Sequence, residues 1–138
     1  MERMKKDTDS VKVIAQAMLD KKAADVVSLE LGVLEGAITD HFVICNADST
    51  TQVAAIADSV IEKMIEAGKG KPIRQQGLEN GFWVILDWGD VVVHVFQTPY
   101  RAFYRIEDLW ADAPSHHWED ADFVVAPKAS RTRRKVTE

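Results

Sequence analysis

The chain of 138 residues carries 22 acidic and 17 basic side chains, a formal charge of −5, and is 46% hydrophobic and 28% charged. That size suits one domain able to bury roughly two-thirds of its unfolded surface, and the balance is ordinary for a globular protein. Apolar runs of five or six residues fall far short of the ~20 needed to span a bilayer, and the charged N-terminus lacks the apolar stretch of a secretory signal. With Cys45 as its one cysteine, the chain has no internal disulfide, and the cytoplasm is the expected compartment. The charge is uneven. Lys128, Arg131, Arg133, Arg134 and Lys135 face only Glu138 beyond Pro127, so the body before them is acidic. Such a body is no general nucleic-acid binder. The basic end reads either as a solvated tail or as a loose contact for RNA.

In chain order, Ser10 is placed to cap a helix running to about Lys22, with Val11, Ile14, Ala15 and Met18 on one face. Asp25 to Leu31 and Ile38 to Cys45 read as strands around a turn at Gly32 to Gly36, and their closeness predicts an antiparallel pair. Ser49-Thr50-Thr51-Gln52 is a capping box, with Ser49 accepting from the Gln52 backbone while the Gln52 side chain reaches back. The helix it opens repeats apolar residues from Val53 to Ile65 at helical spacing and stops at Gly68. Pro72 to Gln76 is a short strand near an edge.

The rest of the chain is organised around Phe82 to Trp110. Phe82 to Leu86 and Val91 to Phe96 are apolar at nearly every position, as strands buried on both faces are. Asp87-Trp88-Gly89-Asp90 turns between them. Thr98 is placed to cap a helix beginning at Pro99, with Ala102, Phe103, Ile106, Leu109 and Trp110 as its apolar stripe. The expected fold is a mixed α/β (α+β) domain over residues 1–114, with a five-stranded mixed sheet and about three helices. Residues 115–138 are expected to be a flexible basic tail.

Three helices cannot cover both faces of such a sheet. Trp83 and Ile85 project opposite to Phe82, Val84 and Leu86, so one set is expected to join an exposed apolar patch of the kind that binds proteins, unless tail residues cover it. Trp83, Trp88, His94, Arg101 and Tyr104 are residues that folding alone does not demand.

Catalytic patterns are thin. No phosphate-cradling glycine loop, nucleophile elbow or C-x-x-C is present. Asp87 and Asp90 could share a divalent metal, but carboxylates at a hairpin turn more commonly accept backbone N–H groups. His116-His117 has no third ligand at zinc spacing. His94, alone in an apolar strand, fits a hydrogen-bonded core histidine better than a general base.

Several runs together resemble the ribosomal silencing factor family, also called Iojap-like. They are Lys21 to Val26, Thr39 to Ile44, Ser49 with Gln52-Val53 and Ala55 to Asp58, Trp83 to Phe96, Arg101, Phe103-Tyr104 and Leu109-Trp110. The likeness covers about residues 10–113 in order. It implies a nucleotidyltransferase-like topology without the catalytic residues, and a factor that binds the large ribosomal subunit at large-subunit ribosomal protein fourteen. There such a factor hinders joining of the small subunit and lowers translation when nutrients are scarce, often being a homodimer when free. On this basis the expected partner-binding residues are Trp83, Asp87, Trp88, His94, Tyr100, Arg101, Tyr104 and Trp110. No catalytic residue, metal, cofactor or membrane is implied. Gln76-Gly77, His41 and Asn46-Ala47 depart from the family pattern. The competing readings are a nucleotidyltransferase-like enzyme using Asp40, Asp87 or Asp90, and a homodimeric scaffold unrelated to ribosomes.

Overall fold

The structure, a computed structural model, describes residues 2–34 and 36–123. Helix α1 (Glu2–Asp20) leads into strand β1 (Ala24–Glu30), a 3-10 turn (Leu31–Val33) and β2 (His41–Ala47). Helix α2 (Thr50–Glu66) is followed by β3 (Arg74–Gln76), β4 (Trp83–Asp87) and β5 (Val91–Gln97). Two short helices, α3 (Thr98–Tyr104) and α4 (Ile106–Leu109), precede β6 (Ser115–Trp118) and a last 3-10 turn (Asp120–Phe123).

The sheet has six strands in the order β3-β4-β5-β2-β1-β6. β2 and β5 pair in parallel, with His41 opposite Val91 and Ala47 opposite Gln97. The pairs β1–β2, β1–β6, β3–β4 and β4–β5 are antiparallel. A parallel pair needs a crossover; α2 supplies it, and β3 and β4 are threaded to the far side before β5 enters the centre.

α1 and α2 cover one face. Ile14, Met18, Val43, Cys45, Val53, Ile56, Val60, Val84, Leu86, Val93 and Val95 form the core there. Ser59, buried between the helices, donates to the Ala17 carbonyl at 3.0 Å. The opposite face carries Val27, Leu29, Phe42, Ile44 and Phe96, closed partly by Leu31, Ile106 and Ala113. Alternation along β4 and β5 is what divides the two cores. Val84, Leu86, Val93 and Val95 face the helices, while Trp83, His94 and Phe96 face away.

Several local expectations give way to tertiary contacts. α1 starts at Glu2, so Ser10 lies inside it and is buried. Ser49 does cap α2, accepting from Gln52 N–H at 3.1 Å. The Gln52 amide, however, donates to the carbonyls of Lys21 and Lys22 at 3.1 and 3.2 Å, closing the end of α1 instead of completing the box. Thr98 does not cap α3, whose N-cap is Gln97. Its hydroxyl donates to Asp48 at 2.8 Å and accepts from Asn46 at 2.9 Å. The single helix expected over Pro99 to Trp110 is broken at Arg105, which sits at φ 49° and separates α3 from α4. Ser115, expected to open the tail, begins β6; Trp118 locks that strand by donating to Ser28 at 2.9 Å and stacking on Phe123. The sheet therefore has one more strand than expected, and the basic residues from Lys128 onward lie outside the described residues.

Gly77 shows how tightly the entry to β4 is built. It has φ +85°, and a Cβ there would overlap the carbonyl oxygen of Trp83. Gly77→Ala should lower stability by about 2 kcal/mol or more, from left-handed strain plus overpacking. Gly68→Ala, at φ +81° with open space around it, should cost about 1–2 kcal/mol from the strain alone. Urea denaturation of the two variants checks the difference.

Candidate partner-docking surface

The sheet face away from α1 and α2 ends in a row of aromatic rings. Trp83, half-buried on β4, stacks on Phe96 with ring centres 4.9 Å apart and lies 4.9 Å from Tyr104 of α3. Tyr104 meets Phe103 edge-on at 5.1 Å. Phe82, one residue before β4, stacks on Tyr100 at 4.8 Å. Phe103 and Leu109 are 77% and 75% exposed, and Phe82 and Tyr104 are 40% and 48% exposed. A run of large exposed rings on a stiff sheet is unusual for a free surface and typical of a binding one.

Below the rings lies His94. Its Nδ1 accepts from the Trp83 indole N–H at 3.1 Å, and Phe42 packs edge-on against it at 4.5 Å. Because Trp83 can only donate, the neutral imidazole keeps its proton on Nε2. That nitrogen is buried with no hydrogen-bond partner. Burial takes the His94 pKa from about 6.5 down to about 4. Burial also lowers His41, opposed by Glu30, Asp40 and Asp90. It pushes the Cys45 thiol up to about 12, with Arg101 opposing, so the cysteine packs as an inert apolar group.

The structure brings Trp83, His94, Tyr100 and Tyr104 together, with Trp110 further along the same face, edge-on to Phe42 at 6.1 Å. Two of the expected residues lie elsewhere, and two, His94 and Arg101, are internal. Trp88 packs against the helix-covered core and donates to the Gly70 carbonyl at 3.0 Å. Asp87 serves the turn, accepting from Gly89 N–H at 2.7 Å. Arg101 is built in, its side chain only 12% exposed. Its Nη1 donates to the Asp25 carbonyl and to Asn46 Oδ1 at 2.6 and 2.8 Å. Its Nε and Nη2 both donate to Glu107 Oε2, at 3.2 and 2.8 Å. Arg101 therefore pins α3 to β1, β2 and α4, beside an open polar hollow of about 490 Å³ lined by Asp25, Asn46, Thr98 and Arg105.

Phe82, Phe103 and Leu109 were not among the expected site residues. Phe103 and Leu109 fit the apolar stripe of an unbroken helix, and nothing in the pattern marks Arg105 as the left-handed residue that turns them outward. Among the described residues, no three His, Cys, Asp or Glu side chains are grouped to hold a metal ion, and no helix is long and apolar enough to cross a membrane.

What fold and surface define is a small mixed-sheet domain whose distinctive chemistry is an exposed aromatic face beside a buried arginine clamp. A profile described as ribosomal silencing factor during starvation matches residues 4–138, extending past the span of the sequence likeness into the basic end. The chain is 40% identical over 106 residues to ribosomal silencing factor RsfS of Bacillus subtilis, covering 75% of this chain and 86% of the relative. It is 42% identical over 106 residues to that of Halalkalibacterium halodurans, covering 76% and 88%. A crystal structure of a Chromobacterium violaceum protein superposes with TM-score 0.71 at 36% identity, covering 75% of this chain and 85% of that one. The chain belongs to the ribosomal silencing factor family.

Two outcomes follow from the buried polar groups. The imidazole of His94 takes up its proton near pH 6.5 in the unfolded chain and near 4 in the folded one. Between those values the unfolded state binds more protons. Protonation at His94 thus does not oppose folding above about pH 6.5, and stability declines as pH falls from there to about 4, by about 3 kcal/mol. Denaturation midpoints of wild type and His94→Leu should diverge accordingly between pH 7 and 4. Arg101→Lys, which cannot fork across Glu107 while reaching the Asp25 carbonyl, should destabilise by about 2 kcal/mol in the same assay.

Proposed function

We propose that this protein docks on the large ribosomal subunit, at large-subunit ribosomal protein fourteen, through the aromatic face centred on Trp83, and that its presence there hinders joining of the small subunit. Translation is lowered as a result, under starvation. The observation that carries this reading is the exposed ring series Phe82–Tyr100 and Trp83–Tyr104–Phe103 on a rigid sheet. Aromatic anchors of this kind commonly supply most of an interface's energy. Family membership supports the ribosome as the setting, and the cytoplasm is the compartment this reading takes.

The acidic balance of the chain before Pro127 favours a basic protein surface over bare RNA. The basic tail is the segment suited to touch ribosomal RNA, and it lies outside the described residues. When the protein is free, a second copy covers the same aromatic face, which makes the homodimer and the ribosome-bound form competitors. The protein acts by occupying a site and not as an enzyme: it uses no cofactor or metal.

Sedimentation with separated subunits tests this directly. The wild type should travel with large subunits and reduce their joining to small ones. Trp83→Ala should stay folded, because Trp83 is half-buried, yet bind roughly thirtyfold more weakly, the loss of about 2 kcal/mol expected of an anchor. Wild-type binding by the folded variant would mean that Trp83 is not the anchor.

A further inference from the structure

Position 94 lies in the run Val91 to Phe96, where every other residue is apolar. An apolar side chain there would satisfy folding. Histidine instead brings a buried Nε2 with no partner, on a residue only 6% exposed. A buried donor without an acceptor opposes folding. Its other nitrogen does something an apolar residue cannot do. Nδ1 accepts from Trp83 Nε1 at 3.1 Å, across the β4–β5 pair where Ile85 stands opposite His94 and Trp83 opposite Phe96.

That bond fixes the one freedom packing leaves to the indole. Phe96 and Tyr104, each with its ring centre 4.9 Å away, confine the Trp83 ring. Stacking tolerates a flip of the ring about its long axis, whereas the hydrogen bond admits a single orientation. Phe42, edge-on at 4.5 Å, holds the imidazole in turn.

From this geometry we infer that His94 is a positioning residue: its Nδ1 orients the Trp83 indole, and so presents the docking face, at the expense of an unsatisfied Nε2 in the core. The inference rests on the reading of Trp83 as the docking anchor, and it commits His94 to acting through Trp83 without touching the partner. Its role thus differs from that of a core histidine kept for stability.

The two roles separate in a short set of variants. Asn places its Oδ1 close to where His carries Nδ1, so His94→Asn keeps the acceptor; His94→Leu keeps the bulk and removes it. At pH 7, His94→Leu is expected to melt no lower than wild type but to bind large ribosomal subunits about tenfold more weakly, the weight of one lost orienting bond. His94→Asn should bind within about threefold of wild type. In a Trp83→Phe background, His94→Leu should have no further effect on binding, since the two residues act as a unit.

The indole N–H resonance of Trp83, identified by its disappearance in Trp83→Phe, supplies a readout independent of the ribosome. It should shift in His94→Leu and return toward its wild-type position in His94→Asn. Wild-type binding by His94→Leu, failure of His94→Asn to restore binding and the indole signal, or a binding loss that follows unfolding would each overturn the inference. Should the wild type itself fail to bind large subunits, the docking reading fails, and the indole resonance still decides whether His94 orients Trp83.

Discussion

A sheet apolar on both faces, with only two long helices among the described residues to cover it, is the constraint on which the rest of this structure depends. Six strands at ~4.8 Å span close to 29 Å, while two helices of ~10 Å cover about 20 Å of one face. The central parallel pair, β2 and β5, is apolar on both sides, with Val43, Cys45, Val93 and Val95 toward the helices and Phe42, Ile44 and Phe96 away from them. The second face is closed by short pieces: the turn after β1, α3, α4 and the segment before β6. They reach Val27, Leu29 and Ile44 but leave Trp83 and Ile85 on β4 half-buried. The exposed aromatic series therefore follows from topology. β4 lies toward the edge of the sheet, because β5, and not β4, pairs with β2, and only the end of α3 reaches it, through Tyr104.

The covering pieces hold their place through polar contacts where a longer helix would have used apolar ones. α3 buries no residue of its own. It is fastened by the Arg101 fork to Glu107, Asn46 and the Asp25 carbonyl, and by Thr98 to Asp48 and Asn46. Asp25 and Arg105, which flank this network, both take left-handed backbone at φ 50° and 49°, a conformation unfavourable for residues other than glycine. The bulge in β1 between Ala24 and Val27 belongs to the same adjustment. Strain and buried charge at one end of the sheet thus hold α3 in an attitude in which Phe103 and Tyr104 point outward, whereas an unbroken helix would have turned part of that stripe inward.

Elements whose signal is local were legible in the sequence. The α2 repeat, the Ser49 cap, the Gly89 turn, the edge position of β3 and the antiparallel β1–β2 pair all appear where spacing and turn chemistry place them. The alternation that sets Trp83 opposite to Val84 was legible for the same reason, because a strand has a period of two. Features decided by distant partners were not. β6 is four residues long and mostly exposed, so it carries no alternation, and its place is fixed by Trp118 reaching Ser28. The break at Arg105 has no glycine or proline to announce it. Arg101 reads as a surface charge until its partners on β1, β2 and α4 are known. Ile106 and Phe103 belong to one periodic stripe, yet one is buried and the other exposed.

The tryptophans differ in what their indole N–H groups meet. A buried indole N–H usually finds an acceptor, and those of Trp83, Trp88 and Trp118 find different ones. Trp118 donates to the Ser28 hydroxyl and Trp88 to the Gly70 carbonyl. Both partners lie on the helix-covered side, and each bond ties a peripheral segment to the sheet. Trp83 donates to an imidazole that is itself left with an unpartnered nitrogen. A backbone carbonyl or a serine would have satisfied Trp83 without adding an orphan to the core. Residues that break the local apolar pattern at a net disadvantage to folding are the ones for which a functional reason is to be sought. On β5 that residue is His94, and the side chain it serves is the one at the centre of the exposed face.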